Sequence, residues 1–189
     1  MTRNFDFNNI EKDFFYAVAP HTKAKVKFAL PKNDSLENEY NEAIGEYDYI
    51  SVISREKFSE GAEIEVNCSF DGTGAPCIVF TDEVNEKDFS VYGMHFEVCI
   101  YKNGVNVWHI VPCPERAERP IRPTKIYFEE WQVNKEGVRC SVKFGKKSIT
   151  VSIEGRTFTV TNEDFPENFR VGFTACEGPC AFSEFKVRT

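Results

Sequence analysis

Residues 138–160 run Val138-Arg139-Cys140-Ser141-Val142-Lys143-Phe144-Gly145-Lys146-Lys147-Ser148-Ile149-Thr150-Val151-Ser152-Ile153-Glu154-Gly155-Arg156-Thr157-Phe158-Thr159-Val160. Apolar and polar residues alternate along the stretch, with breaks at Gly145-Lys146 and Glu154-Gly155. Successive side chains of a β-strand point to opposite faces, so a period of two with two breaks predicts a three-strand meander. A turn at Gly145-Lys146 sets Val142 opposite Ile149 and Cys140 opposite Val151. A turn at Glu154-Gly155 sets Val151 opposite Phe158 and Ile149 opposite Val160. One face is then Val138, Cys140, Val142, Ile149, Val151, Ile153, Phe158 and Val160. The other is Arg139, Ser141, Lys143, Thr150, Ser152, Thr157 and Thr159. A slip of one residue would expose the whole apolar set, so the register is tightly specified. Water on one side and a second layer on the other is the logic of an all-β, antiparallel two-sheet sandwich.

The same period extends upstream. Ile64, Val66, Cys68 and Phe70 share a face, Asp71-Gly72-Thr73-Gly74 makes a turn, and 76–82 form a short apolar strand. Met94, Phe96, Val98 and Ile100 share another face. Asn103-Gly104 then predicts a two-residue hairpin, since a type I′ turn needs two positive φ angles. That turn sets Lys102 opposite Val105, Tyr101 opposite Asn106, Cys99 opposite Trp108 and Glu97 opposite Ile110, with Val107 and Val111 on the Met94 side. Residues 170–175 and 181–187 are the last strands. Residues 1–45 are an N-terminal strand and loop region: Phe14, Phe15 and Tyr16 open an apolar patch, Val26, Phe28 and Leu30 alternate, and 31–45 read as a polar loop. With no linker, repeat or low-complexity tract, residues 1–189 are expected to form one domain.

A chain of 189 residues hides about 70% of the surface its unfolded form exposes and needs no metal or disulfide to fold. The net charge of −7 argues against nucleic acid and anionic membranes as partners; the longest basic cluster, Lys146-Lys147, is too small to override it. No apolar run approaches the ~18 residues of a membrane-spanning helix. Met1–Lys12 lacks the apolar core of a signal peptide, so a cytoplasmic location is expected. The seven cysteines, at 68, 77, 99, 113, 140, 176 and 180, then read as reduced thiols. Cys176-x-x-x-Cys180 would supply half of a zinc site, but structural zinc usually takes two close pairs. The other cysteines stand isolated on apolar faces or in loops, so neither metal nor cofactor is expected.

The second face of the 94–111 hairpin carries the functional expectation: His95, Glu97, Cys99, Tyr101, Asn106, Trp108 and Ile110. A face packed only on core would be apolar throughout, and a bare solvent face seldom carries Trp beside Tyr. The mixture suits a sugar: aromatic rings stack on the apolar face of a pyranose while Glu, Asn and His bond its hydroxyls. Ligand-binding candidates are His95, Glu97, Tyr101, Asn106 and Trp108. Trp131 joins them, as does Arg119 from the Pro- and Arg-rich loop 112–123 at the rim. The competing reading is a face partly covered by the N-terminal segment, with Trp108 as packing. His21, His95 and His109 have no triad context, His109 lies on an apolar side and reads as a core histidine, and no Gly-rich loop opens a helix to hold phosphate.

Roughly residues 60–189 resemble the concanavalin A-like lectin/glucanase jelly rolls. The resemblance rests on a Trp131-bearing strand, the 138–160 meander, the Phe96–Trp108 hairpin, and the closing Val171-Gly172-Phe173-Thr174 and Phe182-Ser183-Glu184-Phe185-Lys186-Val187. It implies a jelly roll whose final strand lies beside its first and whose larger sheet binds sugars on a concave face. The function expected is noncatalytic carbohydrate binding, with an oligosaccharide or glycan as partner. The alternatives are a glycoside hydrolase drawing on Glu46, Asp48, Glu97, Glu129 and Glu130, or a protein-interaction domain with no small ligand. Gly45-Glu46-Tyr47-Asp48-Tyr49-Ile50-Ser51 is similar to the Glu-x-Asp-x-x-Glu strand of laminarinase-type glucanases, which implies a nucleophile first and an acid/base last. Retaining hydrolysis needs two carboxyl groups about 5–5.5 Å apart. Ser51 stands where the second Glu would be and cannot cycle a proton at neutral pH, so the stretch reads as a chance acidic strand.

Overall fold

A computed structural model describes residues 1–24, 29–38 and 49–189. The chain opens with β1 (Thr2–Asn4), a 3-10 turn (Phe7–Asn9), one helical turn α1 (Ile10–Asp13) and β2 (Phe14–Val18). Next come β3 (Ala29–Lys32), β4 (Ser35–Asn38), β5 (Ile50–Ser54), β6 (Phe58–Ser59), β7 (Glu63–Phe70) and β8 (Ala75–Thr81). The short β9 (Ser90–Val91) precedes β10 (His95–Tyr101), β11 (Gly104–Pro112) and β12 (Ile121–Glu130). The meander is β13 (Val138–Gly145), β14 (Ser148–Ile153) and β15 (Arg156–Thr161), and β16 (Asn168–Cys176) and β17 (Cys180–Arg188) end the chain.

Among the described residues these strands make two sheets. The smaller runs β15-β14-β13-β7-β17-β4-β3, with β1 paired to the last residues of β17; the larger runs β12-β11-β10-β8-β16-β5-β2-β9, with β6 on β16. Every pairing is antiparallel except β2 with β9. β1 pairs with β17, Thr2 opposite Arg188, so first and last strands are neighbours. The apolar face of the meander is buried throughout, in one core cluster with Phe80, Phe96, Val98 and Ile100 from the larger sheet. Phe144 of β13 stacks on Phe169 of β16 and meets Phe80 of β8 edge-on at 4.9 Å, joining the two layers. No described helix is long and apolar enough to cross a membrane.

The turns refine the expected registers. Glu154 and Gly155 take φ of 51° and 78°, and Val151 faces Phe158 as expected. The first turn sits one residue later, at Lys146-Lys147, so Val142 pairs with Val151 and Cys140 with Ile153. The expected turn would have set Phe144 against Lys147; the observed one sets it against Ile149, inside the core. Likewise the β10–β11 turn is Lys102-Asn103, which pairs Cys99 with Asn106 and Glu97 with Trp108. Gly104 is used for close approach instead: a Cβ there would lie 2.0 Å from the Glu129 carbonyl oxygen of β12. The amides of Trp131 and Val133 bind the carbonyls of Asn103 and Lys102 and hold the tip. Both corrections move the pairing by two residues, so each side chain keeps its face.

Residues 31–38 form part of the β3–β4 hairpin where a loop was expected; Asn33 and Asp34 turn it at φ of 49° and 65°. Val26, Phe28, residues 39–45, Glu46 and Asp48 lie outside the described residues. The Trp131-bearing strand is also revised, since β12 ends at Glu130.

On the outer face of the smaller sheet, Glu65 is 5% exposed and is paired with Arg139, Arg188 and Lys186, the last at 3.1 Å. Burial alone would raise its carboxyl, but hydrogen bonds from Arg139 and Lys186 outweigh this and hold it below the ordinary glutamate value. A depressed folded-state pKa gives stability that is present above the unfolded value, about 4.3, and is lost as pH falls through the folded one. Urea midpoints should therefore fall on acidification below that value, and Glu65→Gln should flatten this limb. An unchanged acid limb in the variant would contradict the assignment.

Candidate functional site

Residues on the outer face of the larger sheet divide it along the strand direction. Toward Thr81 and His95 the face is filled: Phe15, Ala17, Ala19, Ile53, Val79 and Tyr92 are all buried and form a second apolar cluster. Gly172 lets them close up, since a Cβ there would lie 2.9 Å from the Ile53 side chain. Tyr92 folds over this part, its hydroxyl 3.1 Å from Ser51 Oγ and its ring edge-on to His95 at 4.7 Å. Toward Ala75 and Tyr101 the face opens into a cleft of about 440 Å³.

β10 and β11 build the floor and one flank. Glu97 and Trp108 are ladder partners, as are Cys99 and Asn106, and Tyr101 follows at the mouth. The facing wall is the 72–75 turn with Glu177 and Tyr49. This wall is locked: Thr73 Oγ1 donates to the Glu177 carbonyl at 2.6 Å, and a Cβ on Gly74 would lie 2.3 Å from the Pro179 carbonyl oxygen. Asn38 ties it down, donating to the Gly178 carbonyl and accepting from the Cys180 amide. Arg119, Ile121 and Pro123 form the rim. Trp108 is half-buried, with Lys125 Nζ 5.2 Å from its ring centre.

Of the seven expected ligand-binding residues, Glu97, Tyr101, Asn106, Trp108 and Arg119 line this cleft. His95 does not. It is 1% exposed beneath Tyr92, with Nδ1 on the Gly93 carbonyl oxygen at 2.9 Å. Trp131 does not either: its indole N–H donates to Glu154 and its ring lies against Arg156, beyond the hairpin tip. Glu129 is occupied by Tyr127 and Arg156. His109 stacks on Phe96 as a core-side histidine, its imidazole held below its ordinary pKa by burial.

Among the described residues, two acceptors in the cleft have no hydrogen-bond donor, Asn106 Oδ1 and Glu97 Oε1. His95 Nε2 comes within 3.3 Å of Glu97 Oε1, but no hydrogen bond forms between them and both atoms stay unsatisfied.

Sequence reasoning missed the thiols. Cys77 and Cys99, read as isolated, come together with Cys176 at or just beneath the floor: Cys77 Sγ lies 2.9 Å from Cys99 Sγ, and Tyr49 Oη is 3.0 Å from Cys176 Sγ. The Cys77 thiol is pushed well up by its bonds to Cys176 and Cys99 and by burial. The Cys77 bond pulls Cys99 down, yet burial and the Glu97 charge carry it to about 11. Cys176 is held below its ordinary value by the hydrogen bonds from Cys77 and Tyr49, against its burial. It is also the only one of the three that is not fully buried. Iodoacetamide near pH 8 should therefore label Cys176 well before Cys77 or Cys99, as read by peptide mass mapping. Equal labelling of the three would contradict this order.

No family model and no curated protein matches the sequence. Solved structures do. The carbohydrate-binding module CBM66 from Bacillus subtilis superposes with a TM-score of 0.61 at 10% identity, over 92% of this chain and 96% of that one. β-Agarase A from Zobellia galactanivorans gives 0.64 at 9% identity, over 99% and 91%. The kappa-carrageenase from Pseudoalteromonas carrageenovora, in complex with an oligotetrasaccharide of kappa-carrageenan, gives 0.60 at 9% identity, over 98% and 92%. The fold is the concanavalin A-like jelly roll. At this identity the likeness concerns architecture alone. Within the jelly roll, the cleft belongs to the larger sheet, and its lining is this chain's own.

Proposed function

We propose that the cleft binds a carbohydrate, without catalysis. The observation that carries this reading is that a half-buried Trp108 indole and Tyr101 line the same cleft as two acceptors left without donors among the described residues, Asn106 Oδ1 and Glu97 Oε1. An aromatic ring offers a pyranose its apolar contact, and buried acceptors without donors take hydroxyl protons. The cleft's ~440 Å³ lies within the usual 300–1,000 Å³ of small-molecule sites, about the lower third. Solved jelly rolls that superpose on the chain include a carbohydrate-binding module and a carrageenase holding an oligosaccharide, in line with a glycan ligand. The reduced thiols favour a cytoplasmic setting for this activity.

The chain has two tryptophans, and only Trp108 lines the cleft. Oligosaccharides titrated across a broad panel should shift the emission. The shift should vanish in Trp108→Ala, persist in Trp131→Ala, and weaken at least about tenfold in apparent affinity, ~1.4 kcal/mol, in Tyr101→Ala. Silence across the panel, or a response that survives Trp108→Ala, would reject the reading. Turnover of chromogenic glycosides lost in Glu97→Gln would mark a hydrolase instead.

A further inference from the structure

β8 lies between β16 and β10 in the larger sheet, and this order gathers ligand-type atoms that are far apart in sequence. Cys77 of β8 stands directly opposite Cys99 of β10 in the ladder. Glu97 shares their face one step along β10. One sulfur or oxygen atom from each of Cys77, Cys99 and Glu97 falls within 4.8 Å of the other two. Two buried thiols in contact are ordinary core packing. A carboxylate among them is not. Glu97 is 4% exposed; among the described residues its Oε1 accepts no hydrogen bond, His95 Nε2 standing at 3.3 Å without making one, and its Oε2 has only the Cys99 thiol at 3.9 Å. An acidic group sealed in with weak donors is costly to bury, and a cation is the partner that would offset the cost.

We propose that Cys77, Cys99 and Glu97 bind a divalent zinc-class ion at the floor of the cleft. Thiolate with carboxylate suits a borderline-soft ion that takes tetrahedral geometry, and not calcium or magnesium, which take oxygen alone. On binding, each thiol loses its proton to solvent as its metal–sulfur bond forms, and two thiolates with one carboxylate leave the filled site at −1. Metal–sulfur bonds of about 2.3 Å at tetrahedral angles hold two sulfurs a little under 4 Å apart. Cys77 and Cys99 therefore separate by roughly 1 Å, within reach of side-chain rotation. Glu97 and Cys99 line the cleft, as does Cys176, so an ion held there would be accessible to whatever enters. This site does not depend on a glycan being the ligand.

The test uses the full chain, purified under reducing conditions, stripped with a chelator and titrated anaerobically with Co²⁺. The expected result is one cobalt per chain, thiolate-to-cobalt charge-transfer absorption in the near ultraviolet, and displacement by Zn²⁺. Cys77→Ser and Cys99→Ser should weaken cobalt binding about a hundredfold, and Cys140→Ala, on β13 of the smaller sheet, should leave it unchanged. Because a serine at a fully buried site can unfold the chain, near-isosteric Glu97→Gln is the second probe. It should keep the fold by circular dichroism and weaken cobalt binding by at least about tenfold. Absence of the charge-transfer band while all seven thiols titrate as free would overturn the proposal. So would binding that survives both serine variants, or a mass showing Cys77 and Cys99 joined in a disulfide in freshly reduced protein. Cobalt binding without any glycan response would reject the carbohydrate reading and leave this site standing.

Discussion

Phe173→Ala is expected to destabilise the protein by about 3–5 kcal/mol, lowering the melting temperature by roughly 6–20 °C at 2–4 °C per kcal/mol. Phe173 is fully buried on β16 of the larger sheet. Its ring packs on Phe182 and Phe185 of β17 in the smaller sheet, at 5.1 and 4.9 Å between centroids. It also meets Phe7 edge-on at 5.7 Å and Phe14 at 6.4 Å. The ring thus sits where both layers and the N-terminal turn converge. Removing it leaves a void whose lining is pinned from three directions and cannot easily collapse. Urea unfolding followed by circular dichroism should show a lower midpoint at unchanged slope. A loss below about 1 kcal/mol would mean that the sheets do not pack through this ring.

Arg170→Met should destabilise by about 2–4 kcal/mol. Arg170 is 6% exposed at the filled end of the outer face. Its Nη1 donates to the carbonyl oxygens of Ser54, at 3.1 Å, and Arg55, while Nη2 reaches Glu86 at 2.6 Å. Methionine replaces the apolar stem but donates to nothing, so two backbone acceptors lose their partner next to the apolar cluster. Glu86 is half-exposed, and its loss counts for little. Arg170→Lys should fall between the two, because one ammonium does not reproduce the guanidinium fork. Wild-type stability in Arg170→Met would refute this account.

What was legible followed from burial. Alternation in 64–70, 94–100 and 138–160 assigned strands to faces correctly, because each strand has one face in the core. Turn positions were less legible, because a glycine has more than one use. Gly155 marks its turn, whereas Gly104 makes room for the Glu129 carbonyl and Gly145 merely ends a strand. The β3–β4 turn had a local signal in Asn33-Asp34, two residues that tolerate positive φ, but it sits in a uniformly polar stretch. His95 was assigned to the correct face; that Tyr92 would seal it depended on a loop with no period. The thiol cluster was out of reach for a different reason. Spacing along a strand is written in sequence, but strand order across a sheet is not, and Cys77, Cys99 and Cys176 meet only because β8 lies between β10 and β16.

The lid that Tyr92 makes over Ser51 and His95 has a geometric consequence for selectivity. A polymer laid across an open trough can be gripped at any internal unit, so such a protein reads composition. If the cleft takes a glycan as proposed, and takes it along the strand direction, the filled end blocks one exit, and a long chain can then offer only a terminus or a side branch. Discrimination then depends on how a molecule finishes rather than on what it repeats, and affinity should stop rising once the guest exceeds the depth of the recess.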